Sequence, residues 1–415
     1  MGALPYPVRY FHCKEPQKDD VQAFFEQQIL YFAGIGAAFG GVQGETGVPG
    51  LRLDFNNGLR LQVPPGQWHV RLSDYDSELV FLEEDVQATI LISLEKYYIH
   101  WHIEVWRDGE KCFEHVFDPH GQRIYLVNCS SAIGDSLAFI PYIGAARDYY
   151  GGEVYYYMPR HMQALARQFY PDVQQHEGLL PDTYATFFFG AGIDAPMFMP
   201  YEGRLVRMDR IGQFILNLPE PAPLPAWPVQ PRRIEEPYVC IGVQASSLAK
   251  CWLYPHGWEQ VTASLRAAGY RVLCIDKERH TAAGPFVAEC PPGAEDLTGD
   301  RPLTERAELL AHAAFFIGLP SGLSWLARSV GCPVIMVGGF SYPWHEFAGA
   351  YRVYNRLACF GCLNDVSENA YTHSCPRWPQ DSPHFLECGR SITPPMVIAA
   401  VNRLLADQQH GSNGR

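Results

Sequence analysis

Asp135, Lys250 and Ser321 each stand between a short apolar run and a helix-like stretch, the position at which α/β proteins collect their ligands. In YLVNCSSAIGDSLAF the run YLVN passes through small residues to Gly134 and Asp135. The glycine permits a tight turn, and the aspartate at the helix start is either a proton acceptor facing an opening or a plain N-cap. After YVCIGV, the stretch QASSLAKCW offers Gln244, Ser246, Ser247, Lys250 and Trp252. Amides and hydroxyls followed by one lysine suit a diphosphate, with Lys250 as a point charge or, more simply, a solvated surface residue. LPSGLSW sets Ser321, Gly322, Leu323 and Ser324 at the start of a helix, where unpaired N–H groups and the positive end of the dipole attract anions. Asp276, closing YRVLCID, is a weaker candidate acceptor for a ribose or an adenine.

Cysteine carries a second pattern. Cys359 and Cys362 form a CxxC pair, and Cys375 and Cys388 each follow after twelve intervening residues, in a segment rich in Asn, Asp, Ser, Pro and His. So polar a segment lacks a core of its own, and a tetrathiolate metal would supply one. Four thiolates leave no open coordination position, so the metal's role is structural. Zinc is the general expectation and iron its main rival. The other eight cysteines stand singly, several in apolar runs such as VLCID and GCPVIMV, and read as small core residues.

The elements that must position these groups fall in order along the chain. Residues 1–50 begin irregularly, include a possible helix at VQAFFEQQILYFAG, and end in GIGAAFGGVQGETGVPG. No strand precedes that glycine-rich stretch, so it reads as a flexible loop rather than a dinucleotide turn. Residues 51–127 alternate in short runs from LRLDF to RIYLVN, separated by turns such as Asn57-Gly58 and Asp108-Gly109, which predicts a small all-β domain. Residues 128–218 alternate strand and helix as a first α/β lobe. Prolines crowd 219–237 and exclude both helix and central strand there, predicting an extended connector. Residues 238–355 repeat the α/β alternation as a second lobe. Residues 356–392 hold the cysteine finger, and 393–415 hold a C-terminal helix and tail.

At 415 residues and 47% apolar content the chain can bury a large core. A net charge of −13 disfavours nucleic-acid backbones and anionic membranes. No run approaches the roughly 20 apolar residues of a membrane span, and the N-terminus has no signal-like apolar region, which predicts a cytoplasmic protein with reduced thiols.

Taken together, LDFNNGLRL, YYIHWHIEV, GDSLAFIPY, QASSLAKCWLYPHGW, GYRVLCID, FFIGLPSGLSWLA, GFSYPWHEF, YRVYN and the four cysteines resemble the bacterial autotransporter heptosyltransferases, from about Asp54 to the C-terminal helix. The core motifs are also similar to those of the lipopolysaccharide heptosyltransferases. The resemblance implies a GT-B fold of two Rossmann-like lobes, here with an N-terminal all-β domain and a C-terminal metal finger. It implies transfer of heptose from ADP-heptose to serines of an autotransporter adhesin, by inverting displacement without a catalytic divalent cation. Asp135 then corresponds to the base, Lys250 to the lysine on the donor diphosphate, and Ser321, Gly322 and Leu323 to the nucleotide loop. Iron, one per chain, becomes the expected metal, and a large ring-like homo-oligomer, dodecameric in form, the expected assembly. Pro320 and Trp325 depart from the lipopolysaccharide enzymes, which typically carry an aspartate and a histidine in this loop. Two other readings are a lipopolysaccharide-type enzyme acting on a lipid-linked sugar, against which the β-domain and finger stand, and a non-catalytic nucleotide-binding scaffold.

Overall fold

A computed structural model describes residues 4–13, 40–190, 197–283, 286–370, 372 and 374–412. The VQAFFEQQILYFAG helix and the start of the glycine-rich stretch lie outside the described residues.

The β-rich region contains β1 (Val8–Phe11), β2 (Arg52–Asp54), β3 (Arg60–Val63), β4 (Trp68–Asp74), β5 (Val80–Val86), β6 (Thr89–Ser93), β7 (Trp101–Arg107) and β8 (Glu110–Val116). They form two four-stranded sheets, ordered β1-β6-β3-β2 and β5-β4-β7-β8. Strict alternation sets the faces: Trp68, Val70 and Leu72 of β4 are buried, while His69 and Arg71 between them reach solvent. Asp108 and Gly109 both take positive φ (51° and 87°), so a two-residue turn of matching twist joins β7 to β8. Two boundaries differ from the sequence reading. The N-terminal segment contributes β1, which runs parallel to β6. Conversely, the last run of the expected β-domain belongs to the parallel sheet that follows.

That run is β9 (Ile124–Asn128), which with β10 (Val154–Tyr157), β11 (Gln174–Gln175) and β12 (Ala185–Phe189) forms a parallel sheet ordered β11-β10-β9-β12. Helices Ile133–Phe139, Pro141–Tyr150 and Arg160–Phe169 cross between its strands. The last buries Met162, Leu165, Ala166 and Phe169, an apolar stripe at helical spacing. The two regions interlock. Phe55 pairs with Ala185 as a parallel bridge, and buried Asn56 donates to the Thr183 carbonyl at 3.0 Å and accepts from Thr186 Oγ1 at 2.7 Å.

The second lobe contains β13 (Tyr238–Ile241), β14 (Arg271–Cys274), β15 (His280–Ala283), β16 (Phe286–Glu289), β17 (Glu295–Asp296), β18 (Phe316–Gly318), β19 (Val334–Val337) and β20 (Tyr351–Val353). Six of these form a parallel sheet ordered β17-β14-β13-β18-β19-β20, and β15 and β16 make a separate hairpin. Read in sequence order this is 3-2-1-4-5-6, the doubly wound arrangement, with its switch point between β13 and β18. The first lobe, ordered 3-2-1-4, has its switch point between β9 and β12. Helix Pro394–Ser412 returns to pack on helix Gly257–Ala267 and on β20.

No regular element occurs between Leu218 and Pro237, as the prolines require. The connector is nonetheless fixed. Trp227 is buried, stacks edge-on against Phe169 of the first lobe at 5.1 Å, and donates from Nε1 to Glu308 of the second at 2.9 Å.

Candidate functional site

Each switch point delivers one loop to the junction of the lobes. From the first, the chain leaves β9 through Cys129, Ser130 and Ser131 into helix Ile133–Phe139, with Asp135 in its first turn. No side chain caps this helix at Ala132. Instead Ser130 Oγ donates to Asp135 Oδ2 at 2.7 Å and accepts the Ala132 N–H at 3.1 Å. Asp135 is therefore held rather than spent on capping. Burial raises its pKa, opposed by the Ser130 hydrogen bond and by the positive charge of Lys250.

From the second lobe, β13 leads to the 3-10 turn Leu248–Lys250 and β18 leads to helix Gly322–Ser329. The two α/β lobes meet at these helix ends. A Cβ on Gly322 would lie 2.7 Å from Ile133 Cβ, and one on Gly134 would lie 3.1 Å from Trp325 Cδ1. Both glycines are thus explained by close approach of the opposite lobe. Ser321 takes the N-cap position without a side-chain cap bond, leaving its hydroxyl for another partner. Ser247 Oγ is buried with no hydrogen-bond partner among the described residues, and Ser246 is exposed beside it. A buried hydroxyl without a partner costs about 1–3 kcal/mol, which a ligand oxygen would recover.

Three residues expected to contact a donor face inward instead. Trp252 is 4% exposed and donates to the Ile392 carbonyl at 2.8 Å, fastening the loop to the segment before the C-terminal helix. Asp276 is 1% exposed and accepts from the backbone N–H groups of Val243 at 2.7 Å and Gln244 at 3.2 Å; burial pushes its pKa up to about 6 despite these bonds. Its carboxylate thereby shapes the loop after β13. Ser324 Oγ is occupied by the Leu319 carbonyl at 2.6 Å. Gln244 spends its side-chain amide on the Glu278 carbonyl at 2.7 Å, while Leu323 packs against Gly242.

A further cluster follows β19 in GFSYPWHEF. His345 is 1% exposed and its Nδ1 lies 3.0 Å from Asn364 Nδ2; burial lowers its pKa, with Lys250 among the nearby charges acting the same way. Beside it the buried pair Glu346–Arg352 closes at 2.6 Å. A histidine and a glutamate directly after a strand of the doubly wound sheet were the available sequence signal for this cluster.

The four cysteines gather below this loop. Cys362 and Cys388 are buried, Cys359 and Cys375 partly so, and Leu248 and Ala249 of the Lys250 turn belong to the same apolar cluster as Cys359, Cys362 and Cys375. Burial raises the Cys362 thiol; Arg377 opposes this, while the other three cysteines add to it. Arg377 Nη1 points at Cys359 Sγ from 3.5 Å and is itself held by Asp365 at 2.6 Å. A guanidinium beside Cys359, with its charge felt at Cys362, fits the excess negative charge of a tetrathiolate metal. Among the described residues, the set whose ligand atoms all lie within 4.8 Å of one another is a different one, His102, Glu104 and Glu114. Lys111 already bridges those two glutamates at 2.7 and 3.0 Å, and Arg71 lies 3.9 Å from Glu104, so two side-chain cations already face the two carboxylates.

A groove of about 650 Å³ runs along the connector between Tyr149, Tyr170 and the prolines from Pro219 to Pro225. Its lining includes neither Asp135 nor Lys250.

Two parallel open sheets with facing switch points, a carboxylate on one and a lysine and helix terminus on the other, make the architecture of a two-lobed nucleotide-sugar transferase. Residues 47–109 match the family model for the glycosyltransferase TibC N-terminal domain, and residues 220–367 match glycosyltransferase family 9 (heptosyltransferase). The autotransporter heptosyltransferase TibC of Escherichia coli is 37% identical over 373 residues, covering 87% of this chain and 91% of that protein. An inactive autotransporter heptosyltransferase, BimC of Burkholderia thailandensis, is 34% identical over 362 residues, 84% of each chain. The crystal structure of TibC from enterotoxigenic E. coli, an iron-containing dodecameric glycosyltransferase, superposes with a TM-score of 0.82 at 35% identity, covering 88% of this chain and 98% of that one. TibC in complex with ADP-D-β-D-heptose gives 0.81 with the same coverage. The chain belongs to the autotransporter heptosyltransferases, glycosyltransferases of family 9.

Proposed function

We propose that this enzyme transfers heptose from ADP-heptose to serine hydroxyls of an autotransporter adhesin, by a single inverting displacement at the lobe junction. The observation that carries the reading is the placement of Asp135 and Lys250 on opposite lobes, each just beyond a switch point and within electrostatic reach of the other. Asp135 takes the proton of the serine hydroxyl as that oxygen forms its bond to the anomeric carbon. The bond from that carbon to the diphosphate oxygen breaks on the opposite face, and ADP departs. Lys250, the Ser247 hydroxyl, Ser246 and the Ser321–Gly322 helix terminus take up the charge of the departing diphosphate. Asp276, Gln244, Leu323, Ser324 and Trp252 support that pocket from behind.

Cys359, Cys362, Cys375 and Cys388 would hold one iron, and a tetrathiolate iron supplies a structural cross-link with no vacant position. Gly339 brings this finger to the donor lobe: a Cβ there would lie 2.8 Å from Cys388 Cβ. The β-rich region serves acceptor docking and assembly into a cytoplasmic homo-oligomeric ring. Among the described residues no helix is long and apolar enough to cross a membrane. The test is incubation with ADP-heptose and a purified passenger domain, read by intact mass. Increments of one heptose that vanish with Asp135→Asn support the reading. Wild-type protein that binds ADP-heptose yet transfers nothing would make the chain a scaffold, as an inactive relative at 34% identity allows.

A further inference from the structure

Helix Ile133–Phe139 has only seven residues, no side-chain N-cap and one hydrogen bond from Ser130 to fix the carboxylate of its first turn. A proton acceptor, however, has to be placed within about 0.5 Å. The missing constraint comes from the opposite lobe. Trp325 is 2% exposed, and its ring lies against Gly134, with Cδ1 at 3.1 Å and Nε1 at 3.4 Å from the place a Cβ would occupy. The ring itself is clamped. It meets Phe347 edge-on at 4.9 Å, and the Arg328 guanidinium lies 5.5 Å from its centroid and 5.0 Å from that of Phe347. Arg328 is in turn held by Asp209, in the 3-10 turn Met208–Arg210, at 2.6 Å. Tyr142 OH donates to the Asp209 carbonyl at 2.7 Å, which ties that turn back to the first lobe. The constraint therefore runs from one lobe to the other and back.

We propose that Trp325 is a positioning residue for heptose transfer, fixing the backbone that carries Asp135 and walling that turn from water. The proposal rests on the reading of Asp135 as the base. The flat indole occupies the space that a Cβ at position 134 would need, so the glycine and the tryptophan are matched in shape.

The test measures the rate of ADP release from ADP-heptose with a passenger domain as acceptor, across pH, together with ADP affinity by calorimetry. Trp325→Ala should lower kcat by roughly 10–100-fold, since a misplacement of about 1 Å costs on that order, with ADP affinity within about 3-fold of wild type. The acid limb of the rate profile should move to lower pH, because water readmitted at the turn relieves the burial that disfavours the carboxylate. Trp325→Phe, which keeps a ring there, should recover most of the rate. An unchanged kcat, or losses of kcat and ADP affinity in equal measure with an unmoved acid limb, would overturn the proposal. Should Trp325→Ala fail to fold, Gly134→Ala presses on the same contact from the other side and decides it: a fall in kcat with ADP binding kept supports the proposal, and a wild-type kcat refutes it. Asp135→Asn run in parallel separates the two ideas, since transfer at the wild-type rate in that variant sinks the base assignment itself.

Discussion

A proton acceptor and a phosphate ligand make different demands on their surroundings, and both residues placed for these roles are half-buried at the lobe junction. Burial raises the Asp135 pKa, so the carboxylate needed for catalysis is lost on acidification earlier than an ordinary aspartate would be. We expect kcat/KM to fall with decreasing pH through a value above the usual carboxylate range, and Asp135→Asn to lower transfer by about 10²–10⁴-fold with ADP binding retained. The stability effect has the opposite sense. Between the unfolded and the raised folded pKa the native state binds more protons, so stability falls as pH rises through that window, and Asp135→Asn should melt no lower than wild type at neutral pH. Lys250→Ala should weaken ADP-heptose more than adenosine in calorimetry, whereas equal losses would move the lysine away from the phosphates. That Asp135, Lys250 and Ser321 lie shortly after strands, in or beside a first helical turn, was legible in the sequence, and the roles proposed for them rest on that placement. Trp252, Asp276 and Ser324 follow the same rule, yet they point inward. Which side of a loop a residue faces depends on partners far away in sequence, such as Ile392 for Trp252, and no local pattern records them.

Among the elements, alternation and proline content located the β-rich region, both parallel sheets and the connector. The misassigned strand, β9, shows the limit of that signal. Its residues Ile124, Tyr125 and Leu126 are all buried, and a short run at the end of a series of β-strands is indistinguishable from another of them until its partners are known. Its parallel pairing with β10 and β12 settles the matter. The grouping of the four cysteines was legible for the opposite reason, since their spacing is chemical rather than periodic, and the metal they are proposed to hold is open to direct test. Cys375→Ser should reduce bound metal from about one per chain to a small fraction by elemental analysis, and should lower the melting temperature. Activity should fall with it, because the finger packs against the turn that carries Lys250. Stoichiometric zinc in wild-type protein would refute iron but leave the structural role standing.

For the whole molecule, the contacts between the α/β lobes include a desolvated ion pair that the sequence did not disclose, Arg328–Asp209. Their side chains are 16% and 7% exposed, so removing one partner strands a desolvated charge. Asp209→Ala should cost about 3–5 kcal/mol in denaturant unfolding, and the double variant Asp209→Leu with Arg328→Met should recover much of that loss. A single-variant cost below 1 kcal/mol would show that water reaches the pair. The interlock of Asn56 with Thr186 has a consequence for the chain while it is being made. Its two halves stand 130 residues apart. At synthesis rates of about 5–20 residues per second, the Phe55–Asn56 edge waits on the order of 6–26 s on the ribosome before its partner strand emerges. During that interval Phe55 and Asn56 lack the partners that bury them, so chaperone binding is expected at the nascent β-rich region.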